Sequence, residues 1–150
     1  MSYDSTIDTL KHIKRVQELL SQAAIELLDR GVLHDESKLE EEEKLLFDYY
    51  TPKLKDTTYG SEEYYEHLEG LKPALEHHYQ NNRHHPEFFE NGIDGMDLFD
   101  VLEMFMDWKA ASERHEDGDL EKSIEHNKKR FGMSEQLCNI LRNTVSYVGK

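Results

Sequence analysis

The 150-residue sequence has a single cysteine and no long apolar run. One cysteine, Cys138, excludes an internal disulfide and is typical of proteins in a reducing compartment. No run approaches the roughly 20 apolar residues that a membrane-spanning helix needs, and no signal peptide is visible at the N-terminus. These absences predict a soluble, cytoplasmic protein without a membrane partner.

Basic residues are also scarce: 18 Lys and Arg stand against 32 Asp and Glu, for a formal net charge of −14. Binding to a nucleic-acid backbone requires clustered Lys and Arg, so this charge argues against a nucleic-acid partner. A substrate that carries phosphate would need a local positive charge, which a bound dication supplies. The length is typical of one domain with a single core, and we predict a single domain over residues 1–150.

What the sequence does contain is helical periodicity. Apolar residues recur at three- and four-residue spacing, as Val16 and Leu20 do in a first stripe that we predict to be buried, and strand alternation is not convincing anywhere. The pattern predicts an all-α bundle of five to seven helices. The predicted helices begin near Ile7, Ser37, Ser61, Pro73, Met96, Ser123 and Ser134.

Capping and breaking residues set the predicted helix boundaries. Gly31 is predicted to be the C-cap of the first helix, and Ser37 with Glu40 has the spacing of a capping box for the second. Pro52 is predicted to end the second helix. The other predicted boundaries are a polar loop at 53–60, an interruption at 70–73 and a break at Asp117-Gly118.

The chain is rich in histidine, with nine in all. One lies in the string His34-Asp35-Glu36-Ser37-Lys38, and four lie in the stretch 77–85, which reads HHYQNNRHH. An adjacent imidazole and carboxylate suit Zn, Mn, Fe or Ni, whereas Ca and Mg prefer oxygen ligands alone. The His-Asp pair therefore predicts a transition-metal site whose other ligands lie elsewhere in the chain.

The early candidates each have a structural alternative. His12 lies on the flank of the first apolar stripe, where a histidine bonded to a backbone carbonyl is the simpler interpretation. The His34-Asp35 pair is also compatible with a turn in which Asp35 accepts backbone N–H bonds. Lys38 would place a cation beside the metal to hold a substrate phosphate, or would be a solvated side chain at a helix start.

The later candidates are His78, His84, His85 and Asp107. His78 shares a helical face with apolar residues, which suits either a ligand or a packed core residue, and a surface histidine cluster is a further alternative. Pro86 makes the local backbone irregular, so the sequence does not separate His84 from His85. Asp107 lies on the polar side of the predicted 96–114 helix, and periodicity leaves it undecided between a ligand and a solvated face.

The order of these residues resembles the HD superfamily of metal-dependent phosphohydrolases. The HDxSK string is similar to the HD-hydrophobic-Gly-Lys form of that superfamily, from which it departs at Glu36 and Ser37. More closely, the chain resembles a family of unknown function encoded by bacteria and their phages. The shared features are HDxSK, a stretch like HHxxxNxHH, and a segment like DWKAAS at 107–112, and the resemblance spans roughly residues 12–141. It implies a location in the cytoplasm of a bacterial host or phage-infected cell.

The resemblance implies a metal site with one or two divalent transition ions of Mn, Fe, Zn, Ni or Co. In the binuclear form, Asp35 would bridge the two ions. The implied core ligands are His12, His34, Asp35 and Asp107, and the implied ligands of a second ion are His78 with His84 or His85.

The function implied is hydrolysis of a nucleotide or other small phosphate ester by metal-activated water. Lys38, Arg15 and Arg83 are the candidates for binding the phosphate. Glu41 or Glu103 is the candidate for a proton acceptor or for a partner that aligns an imidazole. Two other functions stay open: a di-iron oxygenase, and a non-catalytic metal- or ligand-binding protein associated with phage. The oligomeric state also stays open.

Overall fold

The computed structural model describes residues 3–58, 61–114 and 118–148. Within these residues the secondary structure is helical and no strand is present, which confirms the all-α prediction. Four short 3₁₀ turns connect or follow the helices, at Glu36–Leu39, Pro86–Phe88, Gly92–Gly95 and Val145–Tyr147. The described residues form six α-helices: α1 (Thr6–Leu33), α2 (Glu41–Asp56), α3 (Glu62–Asn81), α4 (Leu98–Ser112), α5 (Leu120–Phe131) and α6 (Glu135–Thr144).

The chain divides into two compact units, Met1–His34 and Asp35–Lys150. The first unit is essentially α1, in which no residue is buried, so the apolar stripe that carries Val16 and Leu20 is exposed. The predicted end at Gly31 is wrong, because α1 continues to Leu33. An internal glycine costs a helix roughly 1 kcal/mol relative to alanine, which a helix of this length tolerates. The single-domain organisation stays a prediction.

In the second unit, α2 begins later and ends later than predicted. Ser37 is not its N-cap: residues Glu36–Leu39 form a 3₁₀ turn, and α2 begins at Glu41. Pro52 lies inside α2, so the predicted end there is wrong. A proline removes one backbone donor but does not abolish a helix that is packed elsewhere along its length, and α2 packs against α3. The predicted loop at 53–60 is helical as far as Asp56, and residues 59 and 60 lie outside the described residues.

Helix α3 is continuous, so the predicted interruption at 70–73 is also wrong. Gly70 marks a close approach instead. A Cβ at this position would lie 2.3 Å from the ring of Tyr50 on α2. The glycine thus lets α2 lie close against α3, while Ser61 accepts a bond from the Tyr64 amide and begins the helix where the sequence predicts.

The three C-terminal helices enclose the apolar core. Their side-chain caps are Asp97 for α4, Asp119 for α5 and Ser134 for α6, and α5 ends at Gly132 in the left-handed conformation. The predicted break at Asp117-Gly118 lies partly outside the described residues, since residue 117 is not among them. The buried core consists of Phe105, Leu120, Ile124, Met133, Cys138 and Leu141.

None of the helices in the described ranges is both long enough and apolar enough to cross a membrane.

Candidate metal centre

Asp35 lies at the middle of a cluster of imidazoles in the second unit. Its backbone is left-handed, with φ 58° and ψ 15°, and no other non-glycine residue in the described ranges has a positive φ. Aspartate tolerates this region better than most residues, yet such conformations concentrate at functional sites. One carboxylate oxygen, Oδ2, accepts a bond of 2.6 Å from Nζ of Lys38, three residues along.

His78 projects from α3 towards the other carboxylate oxygen of Asp35. The ring is buried, and its Nε2 lies 3.1 Å from Oδ1 of Asp35. The opposite nitrogen, Nδ1, lies 3.0 Å from Oε2 of Glu43 on α2. A carboxylate behind a histidine fixes the ring orientation and the tautomer, as is usual for histidines that bind metals.

His84 repeats this arrangement from the irregular segment after α3. Its ring is buried, its Nε2 lies 3.4 Å from the same Oδ1 of Asp35, and its Nδ1 lies 3.1 Å from Oε1 of Glu103 on α4. Two histidines from different segments therefore have a glutamate on Nδ1 and aim Nε2 at one oxygen.

This convergence is compatible with a bound cation. When Nδ1 donates to the glutamate, a neutral imidazole carries a lone pair on Nε2, and a lone pair facing a carboxylate oxygen at 3.1–3.4 Å is repelled unless a proton or metal lies between them. A metal held at 2.0–2.2 Å by each ligand separates neighbouring ligand atoms by roughly 3.0–3.6 Å. The observed separations of 3.1 and 3.4 Å fit that requirement.

His85 completes the group. Its ring centroid lies 4.1 Å from that of His84 and 4.8 Å from that of His78, and its buried Nε2 has no hydrogen-bond partner in the part of the chain that the structure describes. One ligand atom from each of these histidines and from Asp35 lies within 4.8 Å of the others. The sequence could not choose between His84 and His85 as a ligand, and the structure places both in the cluster.

The charges of the cluster suit metal binding. Burial, followed by the electrostatic effects of His84 and His78, lowers the pKa of His85 to about 3, against a smaller opposing effect of Asp107 and Asp35. His85 is therefore a neutral imidazole at physiological pH, the form that binds metals.

Asp35 carries the matching negative charge. Burial raises its pKa, but the interactions with His78, His84 and Lys38 together outweigh burial and leave the pKa well below the usual range. A carboxylate oxygen of Asp107 lies within 4.8 Å of one of Asp35. The predicted Asp107 therefore faces the cluster rather than a solvated surface, and is half-buried.

Two polar side chains complete the surroundings of His78. Asn82, the C-cap of α3, donates through Nδ2 to Oγ of Ser37 at 2.8 Å and to the backbone oxygen of His78 at 2.8 Å. Oγ of Ser37 lies 3.1 Å from Nδ1 of His78. Ser37 therefore links the HDxSK turn to α3, which replaces its predicted capping role.

Arg83 has a structural partner. Its guanidinium donates to both carboxylate oxygens of Asp100, at 3.1 and 2.9 Å, and lies over the rings of Phe88 and Phe89. Asp100 is fully buried and also accepts from the backbone N–H of Asp97. This pair anchors the segment that carries His84 to the start of α4, and phosphate binding by Arg83 stays a prediction.

Other predicted residues lie outside the cluster or in the first unit. Glu41 is exposed on the first turn of α2. His12 is exposed on α1, as is Arg15, which pairs with Glu18 at 3.1 Å. His34 is half-buried at the C-cap of α1. Their roles as ligands or substrate contacts stay predictions.

Glu43 is the site residue that sequence reasoning missed. It belongs to an acidic run, but it alone in that run is in helical phase with the partly buried Leu46 and Tyr50, and this spacing is the signal that could have found it. Only the packing of α2 on α3 turns this one carboxylate inwards. Glu103 was predicted as a proton acceptor or as a partner that aligns an imidazole, and its Oε1 lies 3.1 Å from Nδ1 of His84.

A family model matches residues 1–147, and its description is a family of unknown function, DUF5662. The chain belongs to this family. No curated protein and no solved structure matches the chain. Membership of DUF5662 assigns no activity to the chain, and the cluster around Asp35 is the feature that bears on its function.

Proposed function

We propose that this DUF5662 protein is a metal-dependent phosphohydrolase of the HD type that acts on a nucleotide or another small phosphate ester. One observation carries the proposal: two histidines, each with a glutamate on Nδ1, aim Nε2 at the same oxygen of Asp35. The resemblance of the HDxSK string to the HD superfamily supports the choice of chemistry. The mixed imidazole and carboxylate donors favour a transition metal over Ca or Mg.

The proposed ligands in the second unit are Asp35, Asp107 and the three clustered histidines. His12 and His34 are further ligands implied by the resemblance. A bound divalent transition metal supplies a Lewis acid and acidifies a water molecule. The contacts of His78 with Glu43 and of His84 with Glu103 hold these two imidazoles in place, so little reorganisation would accompany the reaction.

Lys38 is the proposed contact for the substrate phosphate. Its ammonium lies beside Asp35 and is about one-third exposed, so it is both near the cluster and accessible from solvent. A phosphate ester brings negative charge to a chain that is already strongly acidic, and Lys38 would neutralise part of it. Arg15 and Arg83 are the other candidates for this role, and Glu41 is a candidate proton acceptor.

A di-iron oxygenase is the second candidate function. The observation that favours it is the closeness of Asp107 to Asp35, which adds a second carboxylate to three imidazoles. Iron with a visible absorption band after aerobic purification would support the oxygenase, whereas Zn, Mn, Ni or Co without such a band would support the hydrolase.

The proposal is tested with Asp35→Asn, which keeps the size of the side chain and removes its charge. Elemental analysis of protein purified without added metal, and hydrolysis of nucleoside monophosphates and aryl phosphate esters, are compared with wild type. We expect metal affinity and activity to fall by more than the roughly 10- to 100-fold that is typical when a residue bonded to a metal ligand is changed, because Asp35 is itself a proposed ligand.

The control is Asp48→Asn, which changes an exposed carboxylate that pairs with Lys44. It should keep the metal content and the activity of wild type. Full metal content and full hydrolysis in Asp35→Asn would contradict the proposal. A metal-loaded wild type that hydrolyses no phosphate ester would leave a non-catalytic metal-binding protein.

A further inference from the structure

We propose that Glu43 is a positioning residue that selects the metal-binding tautomer of His78. The inference rests on the proposed metal centre. Glu43 is completely buried, and each of its carboxylate oxygens faces one histidine: Oε1 lies 2.8 Å from Nδ1 of His77, and Oε2 lies 3.0 Å from Nδ1 of His78. A carboxylate so deeply buried is costly unless both oxygens are bonded, and here the two imidazole N–H groups bond them.

Three groups compete for Nδ1 of His78. Besides Oε2 of Glu43, the hydroxyl of Ser37 lies 3.1 Å away and the amide nitrogen of Asn82 lies 3.0 Å away. The amide hydrogens of Asn82 go to Ser37 and to the His78 carbonyl, but the Ser37 hydroxyl can donate to Nδ1, and a donor at Nδ1 would place the ring proton on Nε2. A proton on Nε2 would block the lone pair that faces Asp35 and so prevent metal binding.

The carboxylate decides this competition because it accepts and cannot donate when ionised. Facing Oε2 of Glu43, Nδ1 of His78 carries a proton, so Nε2 is the nitrogen whose lone pair is available to a metal beside Asp35. His77 is about one-third exposed and supplies the second N–H, so both oxygens of Glu43 have a partner without a buried lysine or arginine.

The matching pair in the same cluster argues for a function rather than for packing alone. Glu103 contacts Nδ1 of His84, whose Nε2 faces the same oxygen of Asp35. Two glutamates from different helices thus have one geometrical relation to two candidate ligands. Glu43 differs in its complete burial and in bonding a second histidine.

The test compares Glu43→Gln with Glu42→Gln, an exposed neighbour on the same turn of α2. Glutamine keeps the size of Glu43 but introduces an amide that can donate to Nδ1 of His78. Titration of metal-free protein with Co²⁺ should show binding weakened by about 10- to 100-fold in Glu43→Gln, and unchanged binding in Glu42→Gln.

A second measurement separates positioning from a loss of structure. The ¹⁵N chemical shifts of the His78 ring in metal-free protein report which nitrogen carries the proton. Wild type and Glu42→Gln should show Nδ1 protonated, whereas Glu43→Gln should show Nδ1 in part without its proton and Nε2 carrying one. If Glu43→Gln does not fold, Glu43→Asp takes its place, with an affinity expected between those of wild type and the glutamine variant.

Co²⁺ binding as tight as that of wild type, with the same His78 tautomer, in a folded Glu43 variant would overturn the inference and leave the proposed function standing. Wild-type protein that binds no Co²⁺ would overturn the metal centre and, with it, the role of Glu43. A weaker affinity with an unchanged tautomer would also overturn the inference, because Glu43 would then act through packing.

Discussion

Two buried regions of the second unit differ in almost every respect. The core of α4, α5 and α6 is apolar, with Phe105, Ile124 and Cys138 completely covered. The region between α2, α3 and the start of α4 is polar. Four ionisable side chains there are at most 2% exposed: Glu43, His78, His84 and Asp100. Burying apolar surface stabilises a fold directly, whereas burying ionisable groups costs free energy even when they are paired.

The apolar region contributes to the stability of the fold, whereas the polar region has the properties of a binding site. The apolar core needs nothing beyond its own packing. In the polar region, Glu43 and Glu103 contact histidines, Asp100 pairs with Arg83, and Nε2 of His78 and of His84 converge on Asp35. An arrangement that costs folding free energy and points lone pairs at one position is typical of a binding site.

The largest expected effect is on the apolar side. Phe105→Ala removes a fully buried aromatic ring and should lower the free energy of unfolding by about 3–5 kcal/mol. Chemical denaturation measures the loss, and Co²⁺ affinity of the folded fraction should stay that of wild type. A core variant with little loss of stability and a large loss of metal affinity would break the comparison.

An intermediate effect is expected where the polar region contributes to structure. Arg83→Met keeps contact with Phe88 and Phe89 but leaves Asp100 buried without its two guanidinium bonds, which should cost about 1–3 kcal/mol. Thermal unfolding checks the stability. The KM for a phosphate ester then sharpens the comparison: an unchanged KM assigns Arg83 to structure, and a raised KM restores it as a phosphate contact.

The smallest effect is expected at the surface beside Glu43. Lys44 pairs with Asp48 at 2.6 Å, and both side chains are at least half exposed. Pairs of this kind on a helix contribute roughly 0.3–0.5 kcal/mol, so Lys44→Ala should change the unfolding midpoint barely and leave metal binding unchanged. A clear loss of metal affinity in Lys44→Ala would show that the polar region extends to the exposed face of α2.

Local signals predicted the helices better than their ends. Ser61 and Ser134 cap helices where the sequence indicates, because an N-cap bond involves only a few neighbouring residues. Gly31 and Pro52 were wrongly predicted to end helices. Their local cost is a few kcal/mol at most, and the rest of a long helix can compensate for it.

The candidate site shows the same division. Asp35 was predicted from its adjacency to a histidine in the sequence, and His78 from its position on a helical face. The structure places Nε2 of His78 3.1 Å from Oδ1 of Asp35. The choice between His84 and His85 was open because Pro86 makes the backbone irregular, and both lie in the cluster. Asp107 was undecided by periodicity and faces Asp35.

By itself, the sequence determined the helical class, the acidic charge and the kinds of donor atom available for a metal, because these follow from composition and from spacing along the chain. Only the tertiary structure decided which donors meet. Glu43 has the helical phase of Leu46 and Tyr50, but only the packing of α2 against α3 buries its carboxylate behind His78. Distances between residues 35–43 and 78–84 depend on that packing, which no local pattern encodes.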